Sequence, residues 1–179
     1  MESLVSLASS IEVRTVALPG GGEAAIRSLP IRFSRATPDR LKPGTLAATY
    51  VSKPLVSVDG DAMFGELAIV RWLEKDGWQA FWVDTFHRQQ FWRVMPHRGR
   101  PVLLPEVLRS RYDTVVAANG GWPRGFFDVI AARGDQVIHL EYKGAGDRSN
   151  RNEAGWIEAA LRAGVSEHDL WFVLHPGGD

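Results

Sequence analysis

The sequence contains no cysteine, which excludes disulfide bonds, thiolate metal sites and a cysteine nucleophile. It also has no excess charge of either sign, because 21 lysines and arginines balance 21 aspartates and glutamates. No global positive field attracts a polyanion, so any nucleic-acid site must be a local patch. The sequence has neither a secretory signal nor an apolar run of membrane-spanning length, and we therefore expect a cytoplasmic protein.

The length of 179 residues suits a folded chain with a substantial core. Changes of pattern along the chain predict two parts. Residues 1–60 form a β-rich N-terminal extension, and residues 61–179 form an α/β domain. The α/β domain carries an insert rich in arginine and aromatic residues at about 87–122.

The N-terminal part contains two alternating runs, IEVRTVAL and EAAIRSLPIRF, on either side of the glycine-rich segment PGGG. This pattern predicts a β-hairpin. Pro30 cannot donate a backbone hydrogen bond, so we expect the second strand of this hairpin to lie at a sheet edge.

A helical pattern begins at DAMFGELAIVRWLEKDGW. Asp61 suits an N-cap and Gly77 suits a C-terminal stop, so the spacing predicts a helix over about 62–76. The following run WQAFWVDTF is short, aromatic and β-branched, which is typical of a strand.

The insert has weaker signals. LPEVLRSRYDTVVAA predicts a helix that begins near Pro105, whereas the preceding HRQQFWRVMPHRGRP shows no period and is interpreted as a long loop. After the insert, FFDVIAA and QVIHLEYK predict a hairpin joined by the turn RGD. NRNEAGWIEAALRAG then predicts an amphipathic helix that ends at Gly164, and DLWFVLHP predicts a final strand.

The QVIHLEYK strand carries His139, Glu141 and Lys143 on one face and apolar side chains on the other. Such alternation is typical of an antiparallel sheet with one face in water. Asp128 favours a different interpretation, because it interrupts the apolar run GFFDVIAA, where a lone carboxylate is costly to bury.

If the two strands are neighbours, Asp128 and Glu141 converge, and a divalent ion between them would relieve their repulsion. Carboxylates, a carbonyl and water are the ligands that Mg²⁺ prefers. Lys143 beside the ion would hold or help to deprotonate an attacking water and offset charge on a phosphate.

These residues carry a family resemblance. Asp128 and the run Glu141-Tyr142-Lys143, preceded by a helix bearing Glu66 and followed by another helix, resemble the PD-(D/E)xK nuclease superfamily. The run EYKGAGDRSNRNEAGWIEAALRAGV resembles its VRR-NUC branch in particular. The resemblance covers about residues 61–175, and the first sixty residues lie outside it. It implies a restriction-endonuclease-like core, which consists of a helix, a mixed sheet with a central hairpin, a helix and a strand.

The resemblance also implies roles for individual residues. Asp128 and Glu141 become ligands of Mg²⁺ or Mn²⁺, the Tyr142 carbonyl becomes a further ligand, and Lys143 becomes the catalytic lysine. Glu66 would reach the metal through water. Its other interpretation is an acid that the dipole of the helix favours in the first turn, without any further role.

Two positions depart from the family pattern. Phe127 stands where the family has a proline before the aspartate, and Glu153, with Asn152 beside it, stands where a glutamine is usual. Glu153 would place negative charge near a polyanion. An alternative hypothesis is therefore a catalytically impaired nuclease-fold protein that acts as a nucleic-acid-binding or protein-interaction module. A third is an α/β protein in which Glu141 and Lys143 only form a surface pair.

Three neighbouring side chains have two interpretations each. Asp147 suits a turn or cap residue and also a ligand. Arg148 is either a phosphate contact or a solvated arginine, and His139 is either a proton carrier or a structural residue.

A local cationic stretch in the insert predicts a track for DNA, with RNA as an alternative. Aromatic residues between the charges would stack on unpaired bases or belong to the core. We expect the protein to recognise the structure of the nucleic acid rather than its base sequence. By analogy with other small nucleases, we also expect a homodimer. The predicted phosphate-contacting residues are Arg88, Arg93, Arg98, Arg100 and Arg148, and the aromatic residues are Phe91, Trp92 and Tyr112.

Overall fold

The computed structural model describes residues 1–36, 50, 53–86, 89–147 and 150–175. Two of the predicted phosphate-contacting residues, Arg88 and Arg148, lie outside the described residues. The chain forms an α/β structure in which a seven-stranded mixed sheet is covered by helices, with a three-stranded sheet beside it. Within the described part of the chain, none of the helices is long and apolar enough to cross a membrane.

The helices are α1 Glu2–Leu7, α2 Gly65–Lys75, α3 Glu106–Ala118 and α4 Arg151–Arg162. The strands are β1 Glu12–Ala17, β2 Glu23–Pro30, β3 Ser34–Arg35, β4 Leu55–Val58, β5 Asp61–Phe64, β6 Gln79–Asp84, β7 Gln90–Trp92, β8 Val129–Arg133, β9 Gln136–Lys143 and β10 Leu170–Leu174. A short 3-10 turn, Glu167–Asp169, precedes β10.

The large sheet has the strand order β1-β2-β10-β9-β8-β6-β7. Strand β10 is parallel to both of its neighbours, β2 and β9, and the remaining pairs are antiparallel. The predicted hairpins β1–β2 and β8–β9 are confirmed. Because β2 pairs with β10, the N-terminal hairpin continues the sheet of the later strands. The division of the chain at residue 60 stays a prediction.

The expectation that Pro30 places its strand at a sheet edge is wrong, because β2 lies between β1 and β10. Pairing with β1 ends at Ser28, and Pro30 is the last residue of β2. The missing N–H of the proline therefore costs no hydrogen bond to β1.

Two boundaries differ from the sequence prediction. Helix α2 begins at Gly65 rather than at 62, because Asp61 starts a strand that pairs with β4, and Asp61 is therefore not its N-cap. The segment before α3 is not a loop throughout, since β7 pairs with β6. The predicted end of α2 is confirmed: Gly77 adopts φ of 77° and donates its N–H to the Glu74 carbonyl at 3.0 Å.

Both faces of the central strands of the large sheet are buried. On one face, α1, α2 and the small sheet pack through residues such as Phe64, Ile69 and Leu140. On the other face, α3 and α4 pack through residues such as Phe127 and Trp156. The expectation of a solvated polar face on β9 is therefore wrong, because helix α4 covers it.

Helix α2 approaches β9 closely at Gly65. A Cβ atom at this position would overlap the ring of Tyr142, so glycine is required by packing although it is a poor helix former. This contact brings the first turn of α2, with Glu66, to the end of β9.

We expect Gly65→Ala to destabilise the protein by about 1–3 kcal/mol, because the new methyl group must displace the Tyr142 ring. Gly155→Ala is the matched control. It also lies in a helix, but nothing is within 4 Å of its added Cβ, so it should stabilise by up to about 1 kcal/mol. Urea unfolding of both variants measures the difference, and equal effects would contradict the close approach.

Candidate active site

Two acidic side chains meet where β8 begins and β9 ends. Val129 is paired with Leu140, which places Asp128 opposite Glu141. The Asp128 N–H donates to Oε2 of Glu141 at 3.0 Å, and the Tyr142 N–H donates to Oδ2 of Asp128 at 3.0 Å. Each carboxylate is thus hydrogen-bonded to the backbone of the opposite strand, and the pair is held at one point.

The two carboxyl groups resist simultaneous ionisation. Burial, with Glu66 adding to it, raises the pKa of Asp128 to about 7, although Lys53, the Tyr142 N–H and Lys143 act in the opposite direction. Burial and then the neighbouring Asp128 raise the pKa of Glu141 well above its usual value, against the opposing effect of Lys143. A cation between these groups would favour their charged forms.

Lys143 lies beside the acids and is held from two sides. Its Nζ is 3.2 Å from Oε1 of Glu141 and also donates to Oε2 of Glu153. Burial lowers the pKa of Lys143, but Glu141 and Glu153 together outweigh it, and the pKa lies above its ordinary value. The ammonium form is therefore favoured, which suits offsetting of negative charge rather than removal of a proton from water.

Glu153 comes from the first turn of α4 and is only 1% exposed. The side chain of the N-cap residue Asn150 accepts the Glu153 N–H at 3.1 Å, which fixes the start of this helix. Glu153 therefore does not present its charge openly to a polyanion. It orients Lys143 and offsets its charge.

Glu66 and Lys53 form a second ion pair near the acids, with 2.5 Å between Oε1 and Nζ. Oε2 of Glu66 is buried and has no hydrogen-bond partner among the described residues. Burial lowers the pKa of Lys53, but Glu66 and then Asp128 raise it above the ordinary value. Sequence reasoning missed Lys53, because it lies outside the resemblance and no motif surrounds it.

The cluster has more negative than positive groups. Asp128, Glu141, Glu66, Glu153 and Asp84 are five carboxylates, and Lys53 and Lys143 are two ammonium groups. When all seven groups are ionised, negative charge is in excess, and a divalent cation would reduce it.

Two cavities open beside the cluster. The larger has a volume of about 630 Å³ and includes Glu66, Lys53 and Tyr142 in its lining. The smaller, of about 270 Å³, includes Lys143. The larger cavity is within the range of small-molecule sites and gives a reactant access to this end of the sheet.

Magnesium fits the donors in this cluster. Carboxylate oxygens are hard ligands, and Mg²⁺ commonly binds one or two of them while it keeps several waters. Over the ranges described, no three His, Asp or Glu side chains are grouped closely enough to form a complete protein cage. The fit therefore rests on Asp128 and Glu141, with Glu66 near enough for its charge to act on Asp128.

Three other candidate residues, His139, Asp147 and Asn152, do not take part in the cluster. His139 is 0% exposed, packs against the rings of Phe126 and Trp156, and has a pKa lowered by burial to about 3. This environment favours the structural interpretation of His139 over the proton-carrier interpretation. Asp147 accepts the Gly144 N–H at 2.8 Å, which confirms its role in the turn.

Asn152 lies away from the cluster. Its side chain is exposed, and it lines a separate cavity of about 380 Å³ with Trp122 and Arg124. The structure therefore separates Asn152 from its neighbour Glu153, because adjacent residues on a helix point in different directions.

The insert does not form the predicted stacking track. Phe91, Trp92 and Tyr112 are buried in the core, so the expectation that they stack on bases is wrong. Nε of Arg93 donates to Oε1 of Glu74 at 2.8 Å, and Nη1 of Arg98 is 3.4 Å from Oδ1 of Asp61. Arg100 is exposed.

We expect Asp128→Asn to stabilise the metal-free protein increasingly as pH rises. The raised pKa means that wild type loses stability from the unfolded-state pKa near 4 up to about pH 7, whereas asparagine does not ionise. The gain above about pH 7 should be on the order of 4 kcal/mol, or about ten degrees in Tm, because the pKa is raised by about three units and each unit corresponds to about 1.4 kcal/mol. Thermal unfolding in EDTA across this range measures it. Asp135→Asn, in the exposed turn at the other end of the same hairpin, should show no such rise.

We expect strong coupling between Lys143 and Glu153. Lys143→Met should lower the free energy of unfolding by about 3–5 kcal/mol, because it leaves Glu153 buried without its cation. The double variant with Glu153→Met should recover a large part of this stability. A double-mutant cycle of urea unfolding gives the coupling energy. The partly exposed pair Arg93–Glu74 is the control and should give at most about 1 kcal/mol. Equal coupling in both cycles would contradict the buried pair.

Comparison of the chain with family models, curated proteins and solved structures finds no match. The geometry of the cluster and the resemblance of its residues are therefore the basis for a function.

Proposed function

We propose that this chain is a metal-dependent nuclease that hydrolyses phosphodiester bonds in DNA. One observation carries the proposal: reciprocal hydrogen bonds hold Asp128 and Glu141 together, beside the Lys143 ammonium group and next to an open cavity. The excess of negative charge in the cluster suits a divalent cation.

The topology supports the same proposal. Apart from β7 and α3, which belong to the insert, helix α2 is followed by the antiparallel strands β6, β8 and β9, then by α4, and then by β10 parallel to β9. This is the order of a helix, a mixed sheet with a central hairpin, a helix and a strand that the resemblance implies. A restriction-endonuclease-like core is therefore part of the proposal.

The residues of the site divide the chemistry among them. Asp128 and Glu141 would hold Mg²⁺ or Mn²⁺, with the Tyr142 carbonyl as a further ligand and Glu66 acting through water. A bound metal supplies polarisation of the phosphoryl group and a water of lowered pKa. Lys143 offsets the negative charge that develops on the phosphate, and Glu153 positions its ammonium group.

Glu153, one of the two departures from the family pattern, is compatible with the proposal in this arrangement. Glu153 is paired with Lys143, so it does not repel a phosphate as an isolated acid would. Phe127 is fully buried against Trp156 and Phe172, where it serves the core.

A second candidate is a nucleic-acid-binding or protein-interaction module with impaired catalysis. The ion pair between Lys53 and Glu66 favours it, because an internal ammonium group already neutralises one carboxylate of the cluster. Binding of nucleic acid that survives chelation and Glu141→Gln, without turnover, would support this candidate.

Cleavage of labelled DNA tests the first candidate. Single-stranded, duplex, flap and junction substrates, with an RNA strand beside them, are incubated with the full chain in Mg²⁺, Mn²⁺ or EDTA. We expect metal-dependent cleavage that falls by about 100-fold or more in Asp128→Asn, Glu141→Gln and Lys143→Gln, since each removes a metal ligand or a charge that acts on the transition state.

Asp135→Asn is the matched control and should cleave like wild type. Calorimetric titration with Mg²⁺ should show binding that Asp128→Asn weakens. Absence of cleavage on every substrate with both metals would end the nuclease proposal.

A further inference from the structure

We propose that the N-terminal part of the chain supplies the phosphate-contacting side of the substrate site, through Arg14 and Arg35 together with Lys53. These residues line a groove that takes a single unpaired strand of nucleic acid. The inference rests on the proposed nuclease function and names its substrate class.

The groove consists of the two cavities beside the acidic cluster. Both are bordered by Gly144, Ala145 and Asp147 in the turn after β9 and by His175 after β10, so they adjoin each other across this turn. Lys143 lies in the lining of the smaller cavity, and Glu66 lies in that of the larger. A strand that occupies both cavities would therefore pass the candidate active site.

Three cations of this groove come from the first part of the chain, in addition to Lys143 from β9. Arg14 on β1 lines the smaller cavity, and Arg35 on β3 lines the larger, beside Lys53. Arg14 and Arg35 are exposed, and within the described ranges neither is part of an ion pair. Their charge is thus available to a phosphate.

Most acids in the same lining are already held by other groups. Glu66 is paired with Lys53, and Asp147 accepts the Gly144 N–H. Glu12 is the exception. It shares the smaller cavity with Arg14 and lies two residues away on the same face of β1, with Ser10 as its hydrogen-bond partner at 3.4 Å.

The dimensions favour one strand over two. Cavities of about 630 and 270 Å³ are of the size that holds small ligands, so they suit one or two nucleotides of an unpaired strand. By contrast, Arg93 and Arg98 in the insert are paired with acids and line neither cavity.

Equilibrium binding in EDTA tests the groove without any cleavage. The probe is a short fluorescently labelled single-stranded DNA oligonucleotide, followed by fluorescence anisotropy over a range of salt concentrations. We expect Arg14→Gln/Arg35→Gln to weaken binding by about tenfold and to reduce the slope of log K against log salt by about 1.4, since two phosphate contacts are lost.

Two controls use matched charge changes. Arg98→Gln/Arg100→Gln, in the insert, should leave the affinity and the salt slope unchanged. Glu12→Gln should strengthen binding, because it removes a negative charge from the groove two residues from Arg14. All of these side chains are at the surface, so thermal unfolding of the variants should match that of wild type.

Three results would contradict the proposal of the groove. Weaker binding in the insert variant with no change in Arg14→Gln/Arg35→Gln would return the phosphate track to the insert. Tighter binding of the same oligonucleotide in duplex form, or no binding of any form with or without Mg²⁺, would also contradict it.

The two proposals fail in different ways. Arginine-dependent binding without metal-dependent cleavage on any substrate would end the nuclease proposal and retain the groove. If the chain cleaves DNA in a metal-dependent way, and Arg14→Gln/Arg35→Gln changes neither binding nor cleavage, the nuclease proposal is retained and the groove is ruled out.

Discussion

Burial of several carboxylates at one end of a β-hairpin is the constraint on which the rest of this structure depends. Asp128 and Glu141 accept hydrogen bonds from each other's strands, so neither side chain can turn away without leaving a backbone N–H of the opposite strand unpaired. Their raised pKa values express the cost of ionising both in one place. A site of this kind is stable when it binds protons or a cation, and it is less stable when it is empty and ionised.

The surrounding elements supply partial compensation. Helix α4 brings Glu153 to Lys143, and helix α2 brings Glu66 to Lys53, so each ammonium group is shared between a helix and the acids of the hairpin. Where the layers on the faces of the sheet exclude water, as at Glu153, they strengthen these interactions. Sheet, helices and charges therefore depend on one another, and the excess of negative charge persists only because the fold holds it.

Much of this arrangement could be predicted from the sequence. The hairpin β8–β9, the helices α3 and α4 and the strand β10 follow from periodicity, turns and capping, which act over a few residues. The meeting of Asp128 and Glu141 followed from strand pairing once the hairpin was assumed. Both are local consequences of chain geometry.

The errors concern contacts between distant parts of the chain. Pairing of β2 with β10 determines where Pro30 lies, and packing of α4 on β9 determines that His139 is buried. The aromatic residues of the insert serve the core, although the same composition suits a stacking surface. Lys53 could not be found, because its proximity to Glu66 depends on tertiary structure alone.

The position of β10 has a consequence for the order of folding. It is the last of the described strands along the chain, yet it lies between β2 and β9, and among these strands it alone links the early hairpin to the rest of the sheet. During synthesis, β1 and β2 must wait for some 140 further residues before their neighbour emerges from the ribosome. Contacts of such long sequence separation form slowly, and until then the open edge of β2 is a surface to which chaperones or other nascent chains have access.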